Sequence, residues 1–348
     1  MLKFSIRLGL FLCLLIILRL AYVVGSGTGL TQSYEPKLAD QCTPILIAPG
    51  TEDITIDHEL GQVFVSADNR RKNGDRSKNG IYMFTAGDPS TLKKISMNAP
   101  RGFRPHGFSL WKGPKGNRRL FVVSHPARHT HAIEVFTVKT NGMLDHIKTI
   151  TDPLIHSPND LVAVGEDTFY VTNDHGWTGA MRMVEDFLAV PVSNVVFYQS
   201  GTSEVVINGL SYANGITASE DAQTLYISEI SKRQIRAWHK SDTHGFEEGK
   251  TWPMRMAADN LEWDDFGRLW TAGHPNTLAF LNHAKDPKNL SPSMASFINL
   301  KSDTITEGLY SSGSEMSGSS VATASKGRLY LGAVFEAHIL SCPLLPEE

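Results

Sequence analysis

The chain has 348 residues, 41 % of them hydrophobic, with a net charge of −3. That length and apolar content support a sizeable core in one large or two ordinary domains. The weak negative charge excludes nucleic acid as the main partner, and no long charge run or low-complexity tract appears.

Residues 1–25 stand apart. Lys3 and Arg7 precede the apolar run Leu8 to Leu18, Arg19 interrupts it, and Leu20 to Val24 continues it. This pattern predicts a secretory signal peptide or an uncleaved signal-anchor, with a weak small-residue cleavage site at Val23 and Gly25. Arg19 counts against a full-length spanning helix, because a charge at the bilayer centre is costly. Entry into the secretory pathway follows, and the protein is expected outside the cell or facing the lumen, with membrane attachment through residues 1–25 if they are kept. Residues 26–41 read as a polar linker and 42–348 as the main folded domain.

The chain has three cysteines: Cys13 in the leader, and Cys42 and Cys342 near the ends of the remaining chain. In an oxidising compartment the last two are a natural pair. The bridge would close a loop of about 300 residues, worth roughly 5 kcal/mol in the chain-entropy account. Two unpaired buried thiols are the alternative. Asn289-Leu290-Ser291 is a glycosylation sequon.

Between these cysteines, short β-rich runs recur. They are Val63 to Ser66, Leu120 to Val123, Phe169 to Thr172, Leu225 to Ser228, Leu269 to Ala272 and Leu329 to Gly332, spaced by roughly 44 to 60 residues. Turn signals such as Glu59-Leu60-Gly61, Asp265-Phe266-Gly267 and Lys326-Gly327 precede them. A small polar cluster lies shortly before each run: Glu52-Asp53, His106-Gly107, Asn159-Asp160, Asn214-Gly215, Asp259-Asn260 and Ser319-Ser320. Six strand-rich units, nearly free of helical periodicity, predict an all-β, six-bladed β-propeller. Its first and last blades would be tied by the Cys42–Cys342 disulfide, and the six clusters would ring the central tunnel.

Taken alone, Asn159-Asp160 is an Asx turn before a strand. In the ring, Glu52, Asp53, Asn159, Asp160, Asn214, Asp259 and Asn260 converge. All offer oxygen and none a thiolate, which selects a hard cation and suits calcium. Adjacent residues on an extended chain point to opposite sides, so each pair could serve an upper and a lower site. The plain alternative is a set of polar strand caps solvated by tunnel water. His106 and His125 stand beside the ring as a general base and a proton relay, with Asp174 and His175 further out and His274 at the same mouth. No Gly-x-Ser-x-Gly elbow or phosphate loop occurs, and no free cysteine lies in the propeller, which argues against covalent nucleophilic catalysis.

Several stretches resemble the serum paraoxonase/arylesterase family: Gly50-Thr51-Glu52-Asp53, Arg104-Pro105-His106-Gly107, His125-Pro126, Asn159 to Gly165, Thr172-Asn173-Asp174-His175, Ala213 to Ile216, Asp259-Asn260, His274-Pro275-Asn276 and Gly327 to Phe335. The resemblance runs from about Cys42 to Cys342. It implies two calcium ions. The upper, catalytic ion would take Glu52, Asn159, Asn214, Asp259 and Asn260; the lower, structural one would take Asp53, Asp160 and the carbonyl of Phe108. It also implies a His106/His125 dyad, the Cys42–Cys342 disulfide, a retained hydrophobic N-terminus, and Tyr212, Val334 and Phe335 as pocket wall. The implied activity is hydrolysis of lactones, aryl esters and, in some members, phosphotriesters. Two segments depart from the family: Asp68 to Asn79, which is basic where the family has an apolar loop, and Trp177 to Val192. The function expected is therefore calcium-dependent hydrolysis of a small ester or lactone. The alternative is a non-catalytic, calcium-stabilised propeller that binds a ligand or protein.

Overall fold

The computed structural model describes residues 2–22, 25, 27–30, 32–127, 130–242 and 245–344. Six four-stranded antiparallel sheets form six blades. Blades 1 to 5 use residues 53–94, 105–150, 158–210, 213–253 and 257–311 in simple up-and-down order. Blade 6 takes three strands from residues 319–343 and its fourth from the start of the domain, where Thr43–Leu46 pairs with His338–Pro343. The Cys42–Cys342 disulfide locks this closure with a Cα–Cα distance of 4.2 Å. A closed ring leaves no unpaired blade to recruit a stray strand.

The first strand of each blade is innermost. Asp53–Asp57, Pro105–Lys112, Pro158–Gly165, Ala213–Ala218, Ala257–Trp263 and Ser319–Ser325 pack each on the next around the axis. Asp53–Asp57 and Ser319–Ser325 are buried throughout, whereas the outer strand Asp88–Lys94 is largely exposed. The apolar core is divided into six layers, each filling the wedge between neighbouring blades. Phe121, Ile133, Leu161 and Phe169, for example, join blades 2 and 3. Each such side chain contributes roughly 2 to 3 kcal/mol through burial. Gly61, Gly267 and Gly327 have φ of 62°, 72° and 73° in the turns leading to second strands, a conformation that glycine takes without strain.

Among the described residues three α-helices depart from the pure β pattern. Helix α1 spans Leu2–Tyr22, α2 spans Met181–Leu188 and α3 spans Thr277–Lys285. Helices α2 and α3 occupy matching places, each between the second and third strands of its blade. Asn276 caps α3 by accepting from the Ala279 N–H at 3.0 Å. Arg19 of α1 donates to the Leu188 carbonyl of α2 at 2.8 Å. Among the described residues no helix is long and apolar enough to cross a membrane. The cleavage position weighed at Val23 lies outside the described residues. Tyr34 stacks on Tyr310 at 5.0 Å, which lays the segment before Cys42 along blade 5.

Candidate active site

The polar clusters owe their direction to irregular pairing. In blades 2 to 6 the ladder between the first two strands slips at the cluster, between Pro105 and Phe108, Pro158 and Leu161, Ala213 and Ile216, Ala258 and Leu261, and Ser319 and Val321. A bulge re-aims consecutive side chains that a regular strand would send to opposite faces. Hydroxyls from the second strands fill the gaps. Thr172 accepts from the Asp160 N–H at 3.2 Å and donates to the Asn214 carbonyl at 2.6 Å; Ser228 accepts from the Gly215 N–H at 2.8 Å and donates to the Asp259 carbonyl at 2.6 Å. Each hydroxyl thus ties one blade to the next. Glycine after the cluster is needed for that approach, since a Cβ on Gly107 would lie 2.4 Å from Asp160 Oδ1 and one on Gly215 would lie 2.5 Å from the Asp259 carbonyl oxygen.

The donors fall into two groups. Glu52 Oε2 and the Oδ1 atoms of Asn159, Asn214 and Asn260 are buried acceptors with no hydrogen-bond partner. Asn260 donates to Glu52 Oε1 at 3.0 Å, an Asn214 hydrogen bond reaches Asp259, and His274 Nε2 lies 3.5 Å from Asp259 Oδ2. Asp53 and Asp160 are fully engaged instead. Asp53 accepts from the Ile54 and Phe108 N–H groups, both at 2.9 Å, and Asp160 from those of Leu161 at 2.7 Å and Ile216 at 3.0 Å. Phe108 thus meets Asp53 through its main chain.

Burial, and then repulsion from neighbouring carboxylates, drives Asp53 and Asp259 well above the carboxylate range. Burial likewise raises Asp160 well above it, against the pull of two backbone hydrogen bonds. Glu52 is raised by burial in spite of Arg70. Glu262, absent from the sequence-based set, is raised well above by burial and by Asp160, and it accepts from Thr55 Oγ1 at 3.3 Å.

Crowded carboxylates beside these four buried oxygens without hydrogen-bond partners are costly unless more positive charge is present than Arg70, 3.5 Å from Glu52 Oε2, supplies. This donor chemistry fits a hard cation with carboxylate and amide oxygen ligands. Among the described residues no group of three or more His, Cys, Asp or Glu side chains stands together as a metal site. Three of the four unpartnered oxygens belong to asparagine, so the fit rests on amides as much as on carboxylates.

His106 borders this group, with Nε2 3.6 Å from Glu52 Oε1. Its Nδ1 lies 2.9 Å from His125 Nε2, and His125 Nδ1 lies 2.8 Å from His131 Nδ1. Burial, aided by Arg70, lowers His106 to about 3, and burial with His106 holds His125 well below the usual imidazole range. Both rings are therefore neutral at physiological pH. His131, missed in the sequence, extends the expected pair to a chain of three imidazoles; its place on the third strand of blade 2 carried no turn or cluster signal.

Further out, His175 hydrogen-bonds Asp174 and Asp186, both at 2.8 Å, and lies edge-on to Tyr212 at 4.7 Å. Burial opposes its charge, but the two carboxylates outweigh burial and raise it to about 9; Asp174 is correspondingly held at about 2 against its own burial. This is an ion-paired cluster, also reached by Ser157 and Arg182. His274 is buried, stacks on Phe280 at 3.7 Å and is lowered to about 3 by burial. Phe335 lies against Phe280 and beneath Arg71, and Val334 donates its N–H to Gly318. Asn289 is exposed on the segment after α3, and its carbonyl lies 2.7 Å from His283 Nδ1.

A six-bladed propeller with a polar, carboxylate- and amide-lined tunnel and a histidine chain at its mouth is the class that fold and site define. The Arylesterase family signature matches residues 48–344. Serum paraoxonase/arylesterase 2 of Gallus gallus is 32 % identical over 334 residues, covering 90 % of this chain and 92 % of its own. Serum paraoxonase/lactonase 3 of Oryctolagus cuniculus is 28 % identical, covering 88 % and 90 %. Among solved structures, a gluconolactonase from Xanthomonas campestris superposes with a TM-score of 0.54 at 14 % identity, covering 89 % of this chain and 92 % of its own, which speaks to the fold. The chain belongs to the arylesterase family, whose members are carboxylic ester hydrolases.

Proposed function

We propose that the protein hydrolyses lactones and aryl esters with calcium in the tunnel and His106 as general base. The observation that carries this reading is the set of buried, unpartnered oxygens of Glu52, Asn159, Asn214 and Asn260 beside His106. With Asp259 they would hold an upper ion, while Asp53 and Asp160 would hold a lower one. Calcium bound at the upper site supplies a Lewis acid that polarises the substrate carbonyl.

The protein groups then move one proton. His106 Nε2 takes it from the attacking water while His106 Nδ1–H donates to His125 Nε2 and His125 Nδ1–H donates to His131 Nδ1. This tautomer pattern satisfies both contacts, leaves His106 Nε2 free to accept as its reverse would not, and leads charge away from the buried site. Tyr212, Val334 and Phe335 form the wall that receives the apolar part of the substrate. The carbonyl carbon's bond to the leaving oxygen then breaks, and the His106 imidazolium returns the proton to that oxygen, so that the ring opens to a hydroxy acid or an aryl ester releases its phenol.

The names of its relatives and the Cys42–Cys342 bridge support an extracellular or lumenal setting, with residues 1–25 as leader and Asn289 as glycan acceptor. The deciding experiment measures turnover of phenyl acetate and a δ-lactone with calcium and with excess chelator. Calcium-dependent turnover supports the reading. Background rates in both conditions would instead favour a calcium-stabilised binding propeller.

A further inference from the structure

The basic segment 68–79 links the second and third strands of blade 1 and brings Arg70 to Glu52 and Arg71 to Phe335. Its start is pinned by Arg104, which pairs with Asp68 at 3.0 Å. Gly50, with φ of 79°, makes room for it, since a Cβ there would lie 1.9 Å from the Asp68 carbonyl oxygen. Arg71 turns outward. It stacks on Phe335 at 4.6 Å, donates to the His283 carbonyl at 2.9 Å and meets His283 Nε2 at 3.0 Å, fastening the segment to α3.

Arg70 turns inward. Nη1 donates to the Gly50 and Asp68 carbonyls at 3.4 and 3.2 Å, and Nη2 to the Pro105 carbonyl at 3.3 Å. Nη2 also lies 3.5 Å from Glu52 Oε2, and its side chain is only 16 % exposed. The guanidinium thus stands between Glu52 and the strand that carries His106.

We propose that Arg70 is a specificity-determining residue that selects esters and lactones bearing a carboxylate close to the scissile group. The inference rests on the hydrolase reading above. Glu52 is the counter-ion of Arg70 and also a member of the cation-binding set. A cation on Glu52 consumes that negative charge and leaves a largely buried guanidinium held by carbonyls, which satisfy its donors without cancelling its charge. A substrate carboxylate does both and matches the planar fork. Phe280, stacked on the His274 that adjoins Asp259, and Phe335 against it supply an apolar wall for the rest of the molecule. A neutral substrate meets the same wall but leaves the charge uncompensated.

The test compares a δ-lactone carrying a side-chain carboxylate with its carboxamide, using the calcium-loaded full chain. The wild type is expected to favour the carboxylate at least tenfold in kcat/KM. R70Q is expected to lower that ratio at least tenfold, through KM, and R70K to retain part of it. An unchanged ratio in R70Q overturns the proposal while leaving the hydrolase reading intact. Calorimetric titration with glutarate, and with glutaramide as control, gives a readout free of turnover: R70Q should weaken glutarate binding at least tenfold. If neither lactone is hydrolysed but glutarate binding depends on Arg70, the anion site stands and the hydrolase reading falls. If glutarate binding is independent of Arg70, the anion site falls. Should R70Q fail to fold, a wild-type preference for the carboxamide overturns the proposal and a preference for the carboxylate that R70K diminishes supports it.

Discussion

Asn159 and Asp160 are neighbours in the chain, yet the fold treats them differently. Both oxygens of Asp160 are held by backbone N–H groups, one in its own blade and one in blade 4. The Oδ1 of Asn159 is buried and accepts nothing. The same contrast separates Asp53, bound to Ile54 and to Phe108 of blade 2, from Glu52 beside it. One layer of the tunnel stitches blades together; the other holds open acceptors next to the histidines. Cohesion is thus assigned to one residue of each pair, and the proposed mechanism assigns reaction to its neighbour.

The contrast can be broken most forcefully by removing the cation proposed for both layers. Excess chelator is expected to reduce hydrolysis to the uncatalysed background and to lower the thermal midpoint, because the crowded carboxylates of Glu52, Asp53, Asp160, Asp259 and Glu262 then repel. Retained activity and an unchanged midpoint at equilibrium would remove the cation from the account. The layers themselves separate by mutation. Asp160→Ala orphans two buried N–H groups, at about 1 to 3 kcal/mol each, so denaturant unfolding should show a loss of roughly 2 to 6 kcal/mol. Asn159→Ala should leave stability within about 1 kcal/mol of wild type and reduce kcat by about a hundredfold. Equal destabilisation by both substitutions, with turnover kept, would erase the distinction.

Within the reactive layer, His106→Gln should lower turnover about 10²- to 10⁴-fold with the unfolding midpoint unchanged. His131→Gln, at the far end of the imidazole chain, should cost less than His106→Gln. Equal effects would make the three rings one unit.

The smallest expected effect concerns the outer cluster. His175 is raised to about 9, so its contribution is complete below its ordinary value near 6.5 and is lost as pH rises through about 9. Asp174, lowered to about 2, contributes above its ordinary value of 3.8 and loses that contribution as pH falls through about 2. Unfolding measured from pH 6 to 10 should show a loss on the order of 2 kcal/mol in the wild type after allowance for solvent screening, and a flat profile in His175→Gln. Parallel profiles would show that the cluster is not linked to folding.

The recurrence of β-runs and polar pairs disclosed the number of blades, and two cysteines at the chain ends disclosed the closure. The bulges were not legible, because a slipped ladder depends on the partner strand. Their traces were present all the same, in the glycines after His106 and Asn214 and in the hydroxyls of Thr172 and Ser228 at one register of successive runs. Helices α2 and α3 were hidden by their brevity, 8 and 9 residues inside a β-rich context. Segment 68–79 was visible as basic. That Arg70 faces Glu52 while Arg71 faces Phe335 is set by tertiary packing that no local pattern encodes.

The closure of blade 6 also sets a clock on synthesis. Thr43–Leu46 finds its partner about 300 residues later, so the strand leaves the ribosome long before His338–Pro343 exists. At roughly 5 to 20 residues per second, it waits on the order of 15 to 60 seconds. Five blades can form in sequence during that interval, but the ring cannot shut. The nascent chain is therefore an open arc with one unsatisfied edge at each end, and its greatest exposure to mispairing comes just before the last strand is made.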